Sequence, residues 1–122
     1  METAWTAEEL ASIERAKEIR VAGRRADGSP RSLVIVWPVV VGGSLYIRSI
    51  RGEKGSWYRS ARTSGSGRIE GAGIAAEVTF TRDDSHDKAV SRAYWAKYRW
   101  GLAVWGMTRR AARATTLRVE RR

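Results

Sequence analysis

Between Tyr46 and Arg68 the chain gathers Arg48, Arg51, Lys54, Arg59, Arg62 and Arg68 among glycines, serines and the adjacent aromatics Trp57 and Tyr58. Glu53 is the one acid in that stretch. Surface helices ordinarily interleave both charge signs, so a local cation excess of this size asks for an anionic partner. Backbone N–H groups, hydroxyls, fixed cations and aromatic faces are what hold a phosphate that carries an aromatic ring. The same residues also describe a solvated loop followed by the basic face of a short helix.

Other chemistry is sparse. Cysteine is absent and His86 is the single histidine, which excludes disulfides, thiol catalysis, thiolate metal sites and multi-histidine metal centres. Asp83, Asp84 and Asp87 read as capping and dipole residues at a helix start rather than metal ligands, so no metal is expected. Tyr94, Lys97 and Tyr98 share one helical face and could act as acid, base or substrate anchor, or simply pack. The Thr63–Gly67 run lacks a Walker lysine and reads as a linker.

The elements that must position these groups belong to one domain, 1–122, whose composition is 43% hydrophobic and 30% charged, as in a folded globular chain. No apolar run approaches the roughly 20 residues of a membrane span. The start, METAWTAEEL, has no basic segment leading into an apolar one, so a soluble cytoplasmic protein is expected. The net charge of +10 is mostly arginine, which suits either nucleic acid or a small polyanion. The cations are spread from Arg15 to Arg122 without a dominant run, which favours the small anion.

Thr6-Ala7-Glu8-Glu9 spells a capping box, with Trp5 and Leu10 as its hydrophobic staple, and opens a first helix. From Glu18 the apolar period becomes two, and Ala26-Asp27-Gly28-Ser29 marks a hairpin turn. A strand over Arg31–Val41 follows, apolar on both faces and interrupted by Pro38, which cannot donate to a ladder. The third strand, Ser44–Ile50, sets Leu45, Ile47 and Ser49 against Tyr46, Arg48 and Ile50. An arginine between Tyr46 and Ile50 suits a surface where a charge is paired or a ligand is met. A short helix over Ser56–Arg62, a hairpin of Arg68–Gly71 and Ile74–Thr81, a helix to about Trp100, a connection over Gly101–Thr108 and a strand over Arg113–Glu120 complete the chain. The sum is a mainly β protein with α elements (α+β): a six-stranded antiparallel split β-barrel with three to four flanking helices. Six tryptophans exceed what one small core needs, so some are expected at a groove or subunit interface.

This order of elements resembles the split β-barrel superfamily that binds flavin mononucleotide or a deazaflavin and includes pyridoxamine-phosphate-oxidase-like enzymes. Ser49-Ile50-Arg51-Gly52 with Ser56-Trp57-Tyr58-Arg59-Ser60 is similar to the phosphate loop and Trp-Tyr helix of deazaflavin-dependent nitroreductases. Leu45–Ser49, Ser56–Arg59, Ala93–Tyr98 and Ala112–Arg118 resemble a small family of unknown function with the same layout. The resemblance implies a homodimer with a groove between barrels, where Arg48, Ser49, Arg51, Lys54, Trp57, Tyr58 and Arg59 hold the cofactor. Ser56 and Ser60 stand where the nitroreductases carry proline and asparagine, which leaves a cofactor-free member open.

Three functions follow as expectations. The first is a small split-barrel enzyme, an oxidoreductase using deazaflavin or FMN, that binds an anionic aromatic molecule in a basic groove at a dimer interface. The second is a cofactor-free enzyme of isomerase, cyclase or lyase type, its groove lined by Trp57, Tyr58, Tyr94 and Tyr98. The third is a nucleic-acid module that stacks bases on exposed aromatics.

Overall fold

The structure is a computed structural model that describes residues 4–99 and 102–122. The capping box forms as the sequence dictates and opens α1 (Ala7–Arg15): the Glu9 N–H donates to Thr6 Oγ1 at 3.0 Å and the Thr6 N–H to Glu9 Oε1 at 2.9 Å. Trp5 packs into the core with Leu10 against it, and its indole N–H donates to the Val119 carbonyl. There follow β1 (Ile19–Gly23), β2 (Val34–Val36), β3 (Val39–Val41) and β4 (Ser44–Ile47). A single 3-10 turn, Gly52–Lys54, leads into α2 (Ser56–Ser64), which Gly65 ends in a left-handed cap. Then come β5 (Ser66–Gly71), β6 (Ile74–Arg82), α3 (Asp87–Lys97), α4 (Leu102–Thr108), α5 (Arg110–Arg113) and β7 (Leu117–Arg121).

The strands form one antiparallel sheet in the order β2-β1-β5-β6-β7-β4-β3. β2 and β3 stand at opposite ends of that order, yet only Trp37 and Pro38 separate them in the chain. The sheet must therefore curl until its ends nearly meet, which makes a half-barrel. The fold is the expected mainly β, α+β class, with five helices where three to four were expected, α4 occupying the expected connection, and seven strands rather than six among the described residues. The difference in strands comes from Pro38: lacking an N–H, it cuts the expected Arg31–Val41 strand into two pieces that pair with different partners.

Period-two alternation sorts the core into two compartments. Leu45 and Ile47 of β4 face inward with Val21, Ile69, Val78, Phe80, Leu117 and Val119. Tyr46, between them, faces outward and packs with Val39 against Val90, Tyr94, Val104 and Met107 of α3 and α4. Several boundaries differ from expectation: β5 starts at Ser66, so the Thr63–Gly67 run read as a linker is the end of α2, its Gly65 cap and the start of β5, and α3 ends at Lys97. The third strand stops at Ile47, α2 runs on to Ser64, and residues 113–116 belong to α5 and a turn rather than to the last strand. The expected helix end at Trp100 and the residue Gly101 lie outside the described residues.

Glycine is required where α2 and β5 press on β1. A Cβ on Gly23 would lie 2.6 Å from Ser60 Oγ and 2.8 Å from the Ala61 nitrogen. One on Gly67 would strike the Ala22 carbonyl of the neighbouring strand and the Phe80 ring. Neither backbone can retreat without breaking the β1–β5 ladder. Gly67→Ala is therefore expected to cost about 3 kcal/mol, the upper end of overpacking penalties, as a lowered midpoint in urea unfolding with unchanged slope.

Candidate functional site

Arg48 leaves the end of β4 on the same face as Tyr46, and is 1% exposed. All five of its N–H groups find acceptors. Nε donates to Thr116 Oγ1 at 2.9 Å; Nη1 to Ser91 Oγ at 2.9 Å and the Met107 carbonyl at 3.0 Å; Nη2 to the Asp87 carbonyl at 3.2 Å and Asp87 Oδ1 at 3.1 Å. The guanidinium carbon lies 5.5 Å from the Tyr94 ring centre. Asp87 also binds Arg113, at 2.8 Å, and so neutralises two arginines from different segments. The charge that looked like a ligand contact is paired within the chain.

The residues after Arg48 are pinned as firmly. The Ser49 N–H donates to Thr115 Oγ1 at 2.8 Å, and that hydroxyl donates to the Ala112 carbonyl at 2.6 Å. Thr116 Oγ1, which receives Arg48 Nε, donates to the Arg113 carbonyl at 2.8 Å. Two successive threonines thus bond back to the carbonyls that end α5, a habit that favours helix ends over strands. The Gly52 N–H returns to the Ser49 carbonyl, and Gly55 begins α2 with no side-chain cap and no acid in the first turn. Ser49 is buried beside Gly55, whereas Arg51, Lys54 and Arg59 are exposed and have no acidic partner among the described residues. Trp57 and Tyr58 do not form a flat platform. Their rings meet edge-on at 87°, and the turn of about 100° per helix residue sends the two side chains in different directions. Tyr58 enters the core and Trp57 is half-buried against it.

Tyr94, Lys97 and Tyr98 gather on the Trp37–Pro38 link, whose carbonyls have left the ladder. Tyr94 donates to the Trp37 carbonyl at 2.7 Å; Tyr98 and Lys97 reach the Pro38 carbonyl at 2.8 and 2.9 Å. Lys97 also donates to the Ile13 carbonyl and lies 3.7 Å from Glu14. Burial raises both phenols well above the usual tyrosine range and keeps them neutral donors. Burial pulls the Lys97 ammonium below the usual lysine value, with Glu14 opposing. These polar atoms are committed to backbone carbonyls, with Glu14 a further partner of Lys97.

The basic groove lies on the other side of α2. A cavity of about 720 Å³ opens between α2 and the β1–β2 hairpin arm, lined by Arg24, Arg25, Arg31, Arg59, Ser56 and Thr63 among others, with no acid in its wall. Arg24 binds Glu77 and Arg25 binds the Pro30 carbonyl; Arg31 and Arg59 have no acidic partner among the described residues. The hairpin arm is held by Asp27, which accepts from the Ser29 N–H at 2.9 Å, and by Gly28 at φ 88°. A recess of about 210 Å³ shares Arg25, Arg31 and Ser56 with the groove and adds Trp57 and Val34. Of the expected binding residues, the structure brings Arg59 to this groove and Trp57 to its recess. It buries Arg48, Ser49 and Tyr58 instead. Arg24, Arg25 and Arg31 were missed, since beside a turn they read as ordinary hairpin charges. The signal was available in the two adjacent arginines before the Asp27-Gly28 turn, with Arg31 just beyond it.

Residues 9–119 match the family described as uncharacterized protein conserved in bacteria, DUF2255, and the chain belongs to that family. No curated protein matches it. Among solved structures it is similar to the conserved hypothetical protein Rv2991 from Mycobacterium tuberculosis, at 14% identity and TM-score 0.58, over 95% of this chain and 78% of that one. It is also similar to a protein from Bacteroides thetaiotaomicron described as a "putative 5-nitroimidazole antibiotic resistance protein", at 15% identity and TM-score 0.56, over 98% and 80% of the two chains. At these identities the likeness is one of fold.

Two outcomes test the buried network and its acidic neighbour. Arg48→Met strands several buried acceptors and is expected to cost about 3–5 kcal/mol in chemical unfolding. Arg48→Lys recovers little of that, since an ammonium offers three donors where five are used. Hydrogen bonds from the Ser85 hydroxyl and N–H, helped by Arg118, hold Asp83 below its ordinary 3.8. Its contribution is therefore complete above that pH and is lost as pH falls through the lower folded value. Stability measured from pH 5 to about pH 2 should fall less steeply in Asp83→Asn than in the parent.

Proposed function

We propose that this protein is a small-molecule enzyme that holds the anionic end of an aromatic cofactor or substrate in the α2 groove, and that it is an oxidoreductase using FMN or a deazaflavin. The observation that carries this is the groove itself: four arginines, of which only Arg24 is ion-paired among the described residues, and a wall without a carboxylate. Its size falls within the range of small-molecule sites, about 300–1,000 Å³.

The residues present suit such a cofactor. Arg31 and Arg59 would take the phosphate through charge-assisted hydrogen bonds, with Ser56 and the first-turn N–H groups of α2 beside them. The adjoining recess offers Trp57 and Val34 as apolar surface for a ring. Bound there, a flavin or deazaflavin supplies the hydride chemistry, and the protein's task is to bind, orient and exclude water. That division of labour agrees with Tyr94, Lys97 and Tyr98 having their polar atoms tied to backbone. The fold likeness to a protein described in terms of nitroimidazole resistance is consistent with a planar aromatic ligand. Homodimerisation is part of the proposal: Val34 and Ile35 are consecutive in the edge strand β2 and both exposed, so each face of the strand has apolar surface to cover, and Val34 borders the recess.

Titration of the purified protein with FMN and with a deazaflavin, followed by absorbance and co-elution, tests this. Micromolar binding of one of them is expected, with Arg31→Ala and Arg59→Ala each weakening it about tenfold while the unfolding midpoint stays put. Neither ligand binding, or binding indifferent to both substitutions, would overturn the proposal.

A further inference from the structure

A second hollow, of about 400 Å³, shares no lining residue with the α2 groove. It lies where the end of α1, the Trp37–Pro38 link and the end of α3 converge, and is lined by Glu14, Arg15, Lys17, Trp37, Lys97, Tyr98 and Arg99. Trp37 and Tyr98 stack there at 4.3 Å with their planes 14° apart. Tyr98 is buried while Trp37 is only half-buried, so indole surface is left facing the hollow.

The polar groups divide into an inner set that is used up and an outer set that is not. Lys97 directs its amine at the Ile13 carbonyl, the Pro38 carbonyl and Glu14. The Tyr98 hydroxyl sits at 2.8 Å from both the Lys17 and Pro38 carbonyls. The depth of the hollow therefore offers an aromatic wall and no free donor. Arg15, Lys17 and Arg99 are exposed and have no acidic partner among the described residues; Lys17 rests its ammonium 5.8 Å from the Trp37 ring centre. Among the lining residues Glu14 is the one acid and is already held by Lys97, while Glu18 lies outside the lining but near enough to act on the Tyr98 phenol.

We propose that this hollow binds a small aromatic carboxylate, its ring against Trp37 and its carboxylate on the Arg15, Lys17 and Arg99 rim. An apolar interior under a cationic rim selects a molecule with one flat apolar end and one anionic end. The volume suits one or two fused rings and is near the lower limit of about 300 Å³ for ligand sites. Glu14 on the same rim repels a dianion, so a carboxylate fits better than a phosphate monoester. A planar carboxylate also matches the fork of Arg15 or Arg99. The ligand would displace only Lys17 from the indole face, an exposed cation–π contact of the weak kind.

The test is a titration of ¹⁵N-labelled protein with 2-naphthoate, with uncharged 2-naphthol and dianionic 1-naphthyl phosphate as comparison probes. Naphthoate should saturably shift the Trp37 indole N–H, assigned through Trp37→Phe, and the amides of 14–17 and 97–99, with a Kd at or below about 1 mM. Naphthol and naphthyl phosphate should each bind at least about tenfold more weakly. Lys17→Ala and Arg99→Ala alter exposed side chains and leave the fold intact; each should weaken naphthoate binding several-fold. Shifts confined to the α2 groove, affinity for naphthol equal to that for naphthoate, tighter binding of the phosphate, or indifference to both substitutions would overturn the proposal. Because the reporters lie at Trp37 rather than along α2, failure here leaves the proposal for the α2 groove standing, and the reverse also holds.

Discussion

A buried guanidinium organises this protein. Arg48 is taken wholly out of water, which is tolerable only if every N–H is matched, and five acceptors drawn from α3, α4 and the segment before β7 do so. The three helical segments that follow β6 are consequently held against the end of β4 by directional bonds as well as by apolar packing. Ser49 then extends the same clamp, since its N–H meets Thr115 one residue before the Thr116 that serves Arg48. With Ser49 fixed and Gly55 seated beside it, the start of α2 has little freedom. The groove along α2 inherits its position from an interaction on the other side of the chain.

The second constraint is the passage of the chain from one end of the sheet to the other. Pro38 cannot join a ladder, so the carbonyls around it would be orphaned in a buried place. α3 supplies Tyr94, Lys97 and Tyr98 to meet them. The architecture thus absorbs the side chains best equipped for acid–base work. What it leaves unspent are surface arginines, concentrated where the hairpin arm faces α2. Those free cations are what the proposed anionic ligand would engage.

Much of the fold could be read from the residues one after another. The capping box at Thr6 and Glu9, the Asp27-Gly28 turn and the split between Leu45–Ile47 and Tyr46–Arg48 depend on local geometry and period, and each forms as expected. The site was only partly legible. Arg48 stood out for the right reason, a charge on an apolar face, but its acceptors lie 39 to 68 positions away and no local pattern announces them. Thr115 and Thr116 looked like strand residues, because β-branched residues favour strands, until their hydroxyls found the carbonyls ending α5.

The sequence by itself determined the periods, turns and caps, and with them a mainly antiparallel protein with a basic Trp-Tyr helix after its third strand. Those features are set by steric and hydrogen-bonding preferences that act over a few residues. Only the tertiary structure decided which cations are spent and which are free. Burial and pairing depend on neighbours distant in the chain, and they turned Arg48 inward while bringing Arg24, Arg25 and Arg31 beside Arg59. The candidate site therefore stays on the helix the sequence pointed to, but its partners come from the first hairpin rather than from the loop before it.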